Sequence, residues 1–417
     1  MTRTLYRNGA VYSTHDPFAT ALLIDGQTVA WLGSEEAADG MAGGDVTVID
    51  LAGALITPGL YDSALTVSPD RTDTGQSWAA VVAAGYVAVT VHGSAAHGSA
   101  AHAGAAEAAE PAAEHATGRG AQPDVSGVRA AGQLRALAAA AENPAAGLPE
   151  ARLWARRTVQ DAEGVGYLRD ALGPHLAGVE PDEADRTDAT ALTAHLAAAA
   201  GAGLSAGWPV HSAAELDTLR HVLPAAAAAG APLRTAGVHL AMSADLDAED
   251  RLLLARHGVT VLVTPSSGSP LRTPLAALAA DGVPLVLGSA GWTSGPAAPP
   301  WSLVRACVQH PDPAQRLSAR AAFLALSRGG WRAARAAHPL LGQLVPGAPA
   351  SYAVWEATEL MVQTPDSTVA AWSTDPRART PLLPALDQET DPRCLRTARD
   401  GLVLHDDGTL DEVTATR

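Results

Sequence analysis

Between Asp188 and Gly288 the chain alternates helix and strand signals, and that rhythm restricts its fold more than any other feature. Asp188–Ala200 reads as a helix opened by a capping Asp, and it precedes a strand at Trp208–His211. Ala213–Leu223 is helical and leads to a strand at Thr235–Leu240. Ala248–His257 is a helix stopped by Gly258 and followed by the strand Val259–Thr264. Pro274–Ala280 then runs through Asp281-Gly282 into Val283–Gly288, and upstream Ala79–Ala84 precedes the β-branched run Tyr86–His92. Strands joined through helices pair in parallel, so the fold class expected is α/β, with a (β/α)8 TIM-like barrel as the first choice. The third and fourth barrel strands have the faintest pattern.

The 417 residues suffice for a barrel of about 250–300 residues and a smaller domain. Hydrophobic residues make up 47% but aromatics only 4%, so the core has to be built from Ala, Val and Leu. A net charge of −16, spread along the chain, argues against nucleic acid as a partner, because phosphate binding needs clustered basic surface. Cys307 and Cys394 form neither a disulfide framework nor a metal-spaced pair, which fits a reducing cytoplasm. The start of the chain has no apolar signal core, and no apolar run reaches the roughly 18 residues that cross a bilayer. The partner expected is therefore a small-molecule ligand, with neither nucleic acid nor membrane; assembly as a homo-oligomer stays open.

Both ends carry strand patterns. Leu5–Tyr12, Ala21–Ile24, Thr28–Leu32 and Val46–Asp50 are short β-prone runs among Asn-Gly, Asp-Gly and Gly-Gly turn signals, which predict part of a small antiparallel sheet. Ser351–Glu356 and Leu395–His405 are strand-like at the other end. Gly93–Gly147 is low-complexity Ala/Gly/His/Glu sequence. It begins beside a loose histidine tract (His92, His97, His102, His115) whose fivefold spacing puts neighbours about 140° apart on a helix, not on one face. That tract reads as compositional drift, the alternative being ligands or a cover over a barrel mouth. Gly203-Leu204-Ser205-Ala206-Gly207 fits G-x-S-x-G, but it follows a helix and precedes a strand, the reverse of a nucleophile elbow.

Three segments carry a family resemblance: Ile56-Thr57-Pro58-Gly59-Leu60-Tyr61-Asp62-Ser63-Ala64-Leu65-Thr66, Val283-Pro284-Leu285-Val286-Leu287-Gly288-Ser289-Ala290, and Leu344-Val345-Pro346-Gly347 through Trp355. With them the chain resembles the amidohydrolase superfamily, in pattern nearest its amidohydrolase 3 (YtcJ-like) branch. The resemblance implies a β-sandwich built from both termini (1–57 and 344–417) around a barrel (58–343) with an insert at about 93–147. It also implies hydrolysis of non-peptide carbon–nitrogen bonds by a divalent metal, zinc first, whose bound water falls in pKa from 15.7 to about 7.

The family's ligand positions are only partly filled. Its His-x-His pair falls on Ala64 and Thr66, and its last-strand Asp on Ala290. A carbamylated lysine is excluded, since all 28 basic residues are arginine. His211 matches the fifth-strand histidine, with a helix-capping or satisfied core residue as the plain alternative. His239 matches the sixth-strand histidine, although Val238 replaces the usual glutamate. Glu180 falls at the Lys-or-Glu position, while Glu180-Pro181-Asp182-Glu183 reads first as a solvated acidic loop. Three functions compete: a metal-poor, catalytically impaired barrel that keeps a ligand pocket; a mononuclear hydrolase built on His211 and His239 with Glu180; and metal-free chemistry through Asp62 or the insert histidines.

Overall fold

The computed structural model describes residues 3–67, 74–93, 132–265 apart from 133 and 137, 270–289, 298–356, 359–361, 381–386, 390–410 and 412–413. His97, His102, His115 and Ala290 lie outside the described residues, as does much of the predicted insert.

Six strands precede the barrel: β1 (Arg3–Arg7), β2 (Ala10–Val11), β3 (Ala21–Asp25), β4 (Thr28–Gly33), β5 (Val46–Asp50) and β6 (Leu55–Pro58). The barrel strands are β7 (Leu60–Val67), β8 (Tyr86–Gly93), β9 (Glu150–Arg156), β10 (Leu176–Glu180), β11 (Ser205–Val210), β12 (Val238–Met242), β13 (Val259–Val263) and β14 (Leu285–Leu287). After it come β15 (Tyr352–Glu356), β16 (Leu360–Met361), β17 (Leu383–Pro384), β18 (Arg393–Arg399), β19 (Leu402–Asp406) and β20 (Glu412–Val413). Segments from both ends share two five-stranded sheets, ordered β20-β5-β1-β3-β4 and β19-β18-β15-β6-β2. These sheets are mixed, which corrects the antiparallel expectation: β1 pairs with β5, and β2 with β6, in parallel. The predicted strand Leu5–Tyr12 is broken at Asn8, whose φ of 56° turns the chain out of the extended region. Leu395–His405 is a hairpin rather than one strand, turned at Asp400 and Gly401, both with positive φ (50° and 76°) as a type I′ turn needs.

β7 through β14 pair in sequence order, all in parallel. Side chains close the remaining seam between β14 and β7. Ser289 donates its backbone N–H to Asp62 Oδ1 (2.9 Å) and bonds Asp62 Oδ2 through its hydroxyl. A Cβ on Gly288 would stand 2.7 Å from the Cβ of Ala64, so the seam is as tight as a glycine permits. The result is a nearly closed eight-stranded TIM-like barrel.

The helices between strands form where local chemistry starts and stops them. Asp188 caps Ala189–Gly201 by accepting from Thr190 N and Ala191 N (2.8 and 3.0 Å). Ser212 and Glu215 form a capping box on Ala213–Ala228, and Asp247 and Asp250 form another on Ala248–His257, which ends at Gly258 in the left-handed region (φ 67°). Leu192, Leu196, Leu219 and Val222 bury their side chains between these helices and the strands, at roughly 1.5–3 kcal/mol for each such side chain. β12 starts three residues later than the sequence predicts. Leu233–Ala236 forms a helical turn, and Gly237 (φ 86°) ends it before the strand can begin.

Candidate site at the barrel mouth

In a TIM barrel the C-terminal strand ends carry the chemistry. Here they bring together three residues from consecutive strands: His92 at the end of β8, Arg156 at the end of β9 and Glu180 at the end of β10. Glu180 is fully buried (0% exposed), so it is not the solvated loop residue its acidic neighbours suggest. Its Oε1 bonds the Nδ1 of His92, and its Oε2 accepts from Arg156 Nε at 3.3 Å. His92 is buried too, with its Nε2 3.4 Å from the carbonyl of Ser63.

The barrel is filled immediately beside this pair. The indole of Trp154 (4% exposed) lies 5.2 Å, centroid to centroid, from the ring of His92, and 5.2 Å from that of His239. Gly178 and Gly207 on the next two strands make room for it. A Cβ at Gly178 would overlap the indole, and one at Gly207 would stand 2.9 Å from Trp154 Cζ3.

The structure separates the two histidines that the sequence pairs. His211 lies one residue past β11, exposed, with Nδ1 3.1 Å from Ser243 Oγ. On β12 the register pairs Val210 with Met242 and Gly207 with His239. His239 therefore sits four residues short of the level of His211 (207 against 211), about 13 Å back along the strand. Its Nε2 is closed off from solvent with no hydrogen-bond partner, and burial, then the charge of His92, depresses its pKa to about 4. The inward position nearer the mouth on β12 is Ala241, which clusters with Ala64, Leu262 and Val286. Asp62 is buried in the seam, where desolvation raises its pKa and Ser289 and Ala64 N occupy its oxygens. Ser205 of the G-x-S-x-G match begins β11, buried, with its hydroxyl donating to Ala236 O (3.2 Å).

These residues do not fit a divalent metal. Ala64 contributes a methyl group to an apolar cluster, both oxygens of Glu180 are engaged by the protein's own nitrogen groups, and His211 and His239 are too far apart to share an ion. Among the described residues no group of three His, Cys, Asp or Glu side chains converges as a metal site would require.

Around this centre the mouth is partly open. A cavity of about 320 Å³ is walled by the ends of β12 and β13 and the segment after them, including Ala241, Ser243, Leu262, Thr264 and Arg272. On the other side the loops after β9 and β10 are stitched together: Thr158 N donates to Asp182 Oδ2 (3.2 Å), Asp182 N to Thr158 Oγ1 (2.8 Å), and Thr158 Oγ1 to Asp185 Oδ2 (2.5 Å). This places Arg186 (7% exposed) close enough to Arg156 for the two charges to repel, and burial and that repulsion lower the pKa of Arg186. Sequence reading missed Arg156, Arg186 and Trp154. The one local signal was the pair of glycines, Gly178 and Gly207, on strands that otherwise offer apolar residues to the barrel.

No protein-family model matches the chain, and no curated protein matches it in sequence. Solved structures do. Guanine deaminase from E. coli superposes with a TM-score of 0.62 at 15% identity, covering 97% of this chain and 99% of that one. Enamidase, described as a new member of the amidohydrolase superfamily, gives 0.58 at 13% identity over 99% and 100%. An adenosine deaminase from Xanthomonas campestris, solved with bound zinc, gives 0.60 at 15% identity over 99% and 94%. The described residues therefore share the fold of these proteins, among them a named member of the amidohydrolase superfamily.

Proposed function

We propose that this protein binds a small polar molecule at the barrel mouth and does not perform the metal-dependent hydrolysis of carbon–nitrogen bonds that its fold suggests. The activity class comes from structural neighbours that include deaminases. One observation carries the departure from it: Glu180, at the strand end where a metal ligand is expected, has both carboxylate oxygens bound by His92 and Arg156. A buried carboxylate needs a compensating partner, and here side chains supply it. The cavity at the ends of β12 and β13, on the same face of the barrel, supports ligand binding. Cys307 and Cys394 are both unpaired, on which ground we propose a reducing compartment; among the described residues no helix is long and apolar enough to cross a membrane.

The test is elemental analysis of protein incubated with zinc and desalted, wild type beside Glu180→Gln, together with guanine and adenosine deamination assays. No stoichiometric metal in either protein and no turnover are expected. A full equivalent of zinc in the wild type that is lost in Glu180→Gln would overturn the proposal.

A further inference from the structure

Arg186 has an environment that the rest of the site does not account for. It is buried, its Nε has no hydrogen-bond partner, and among the described residues no carboxylate comes within ion-pair distance of its guanidinium. The neighbouring charges are Arg156, which repels it, and Glu183, Glu180 and Glu215, which attract it from further away. Two of these acids, Glu180 and Glu215, are otherwise occupied. Glu180 binds His92 and Arg156, while Glu215 Oε2 accepts from His211 N (2.8 Å), Ser212 N (2.9 Å) and Ser212 Oγ (2.9 Å).

A guanidinium offers five N–H donors in a planar fork, and burying it unpaired is strongly unfavourable. Proteins keep such a group buried where a ligand completes its hydrogen bonds. The position supports that role: Arg186 follows β10 at the C-terminal face, near Arg156 at the end of β9, and the Thr158 bonds to Asp182 and Asp185 tie together the loops that follow the two strands. The wall of the mouth facing β12 adds the imidazole of His211, whose Nδ1 is held by Ser243.

We infer that Arg186, with Arg156 beside it, forms the anion-recognition subsite of the barrel mouth, and that the ligand carries a carboxylate or a phosphate group. This rests on the reading of the mouth as a ligand site but not on the absence of a metal.

Calorimetric titration with inorganic phosphate, and separately with malonate, decides the matter, at ionic strength held constant with chloride and after passage over a chelating resin. Saturable one-site binding of at least one probe is expected, weakened about tenfold or more in Arg186→Gln and partly restored in Arg186→Lys. The probe that binds identifies the group recognised. Arg186→Met serves as the folding control: without any anion it should melt at or above the wild-type temperature, because it removes an unpaired buried charge. The inference is overturned if neither probe binds saturably, or if Arg186→Gln binds as well as wild type. Stoichiometric zinc alongside Arg186-dependent anion binding would sink the metal-free proposal and leave the anion subsite standing; no zinc and no anion binding would do the reverse.

Discussion

Lowering the pH from 8 to 5 should destabilise this protein through two histidines far from each other in the sequence, His195 and His239. Burial depresses the pKa of each from 6.5 to about 4. For His195 the geometry agrees. The residue is fully buried in the helix Ala189–Gly201, and its Nδ1 accepts the backbone N–H of Val159 (3.1 Å), so a proton on that nitrogen would break the bond. Both groups are bases whose folded pKa lies below the unfolded value, so the unfolded chain binds more protons between pH 6.5 and 4. Stability is then fully present above about 6.5 and is lost as the pH falls. At pH 5 the loss is about 2 kcal/mol per histidine, or about 4 kcal/mol for the pair. Asp62 acts in the opposite sense, since its raised pKa favours the folded state toward acid, but it is common to both proteins compared.

The assay is urea unfolding at pH 8, 6.5 and 5 for wild type and for His195→Asn/His239→Asn, in which the amides keep polar atoms near the ring nitrogens without titrating. Any constant cost of the substitutions cancels, because only the change with pH is compared. Wild type should lose about 4 kcal/mol more than the double variant between pH 8 and 5. Equal slopes would refute the assignment of acid sensitivity to these two histidines.

Other outcomes follow from single contacts. Trp154→Ala should cost about 3–5 kcal/mol in urea unfolding, because it empties the centre of the barrel beside Gly178 and Gly207. Asp62→Asn should stay within about 1 kcal/mol of wild type and leave anion binding unchanged, since an amide can still accept from Ser289 N and Ala64 N and donate to the Ser289 hydroxyl. Asp62→Ala should lose about 1–3 kcal/mol as the β14–β7 seam opens. Ala52 holds a left-handed conformation (φ 48°) in the exposed turn before β6 and has no polar side chain to lose, so Ala52→Gly should gain about 0.5–1 kcal/mol, read as a higher melting temperature.

The elements that were readable in the sequence were those whose signals are local. The cap at Asp188, the stop at Gly258 and apolar strands such as Val259–Val263 need only their own neighbours, and the structure places them where they were expected. The misplaced start of β12 came from reading β-branched Thr235 as strand when Pro232 and Gly237 bracket a turn of helix. The separation of His211 from His239 has a different origin. Each lies on or just after its expected strand, but whether the two side chains meet depends on a register fixed by hydrogen bonds between β11 and β12, which no single segment encodes.

The centre itself was half readable, and the unreadable half explains the other. Ala64 and Thr66, where the resemblance expects histidines, can be seen in one line of sequence; the groups that bond Glu180 cannot, because they converge from β8, β9 and β10. A carboxylate held at the end of β10 with 0% exposure is unstable without positive charge or hydrogen-bond donors against it. His92 and Arg156 meet that need here. Restoring histidines at positions 64 and 66 alone therefore should not restore metal binding, because an incoming ion must displace a guanidinium and an imidazole that already bond both oxygens of Glu180, with the indole of Trp154 packed against His92.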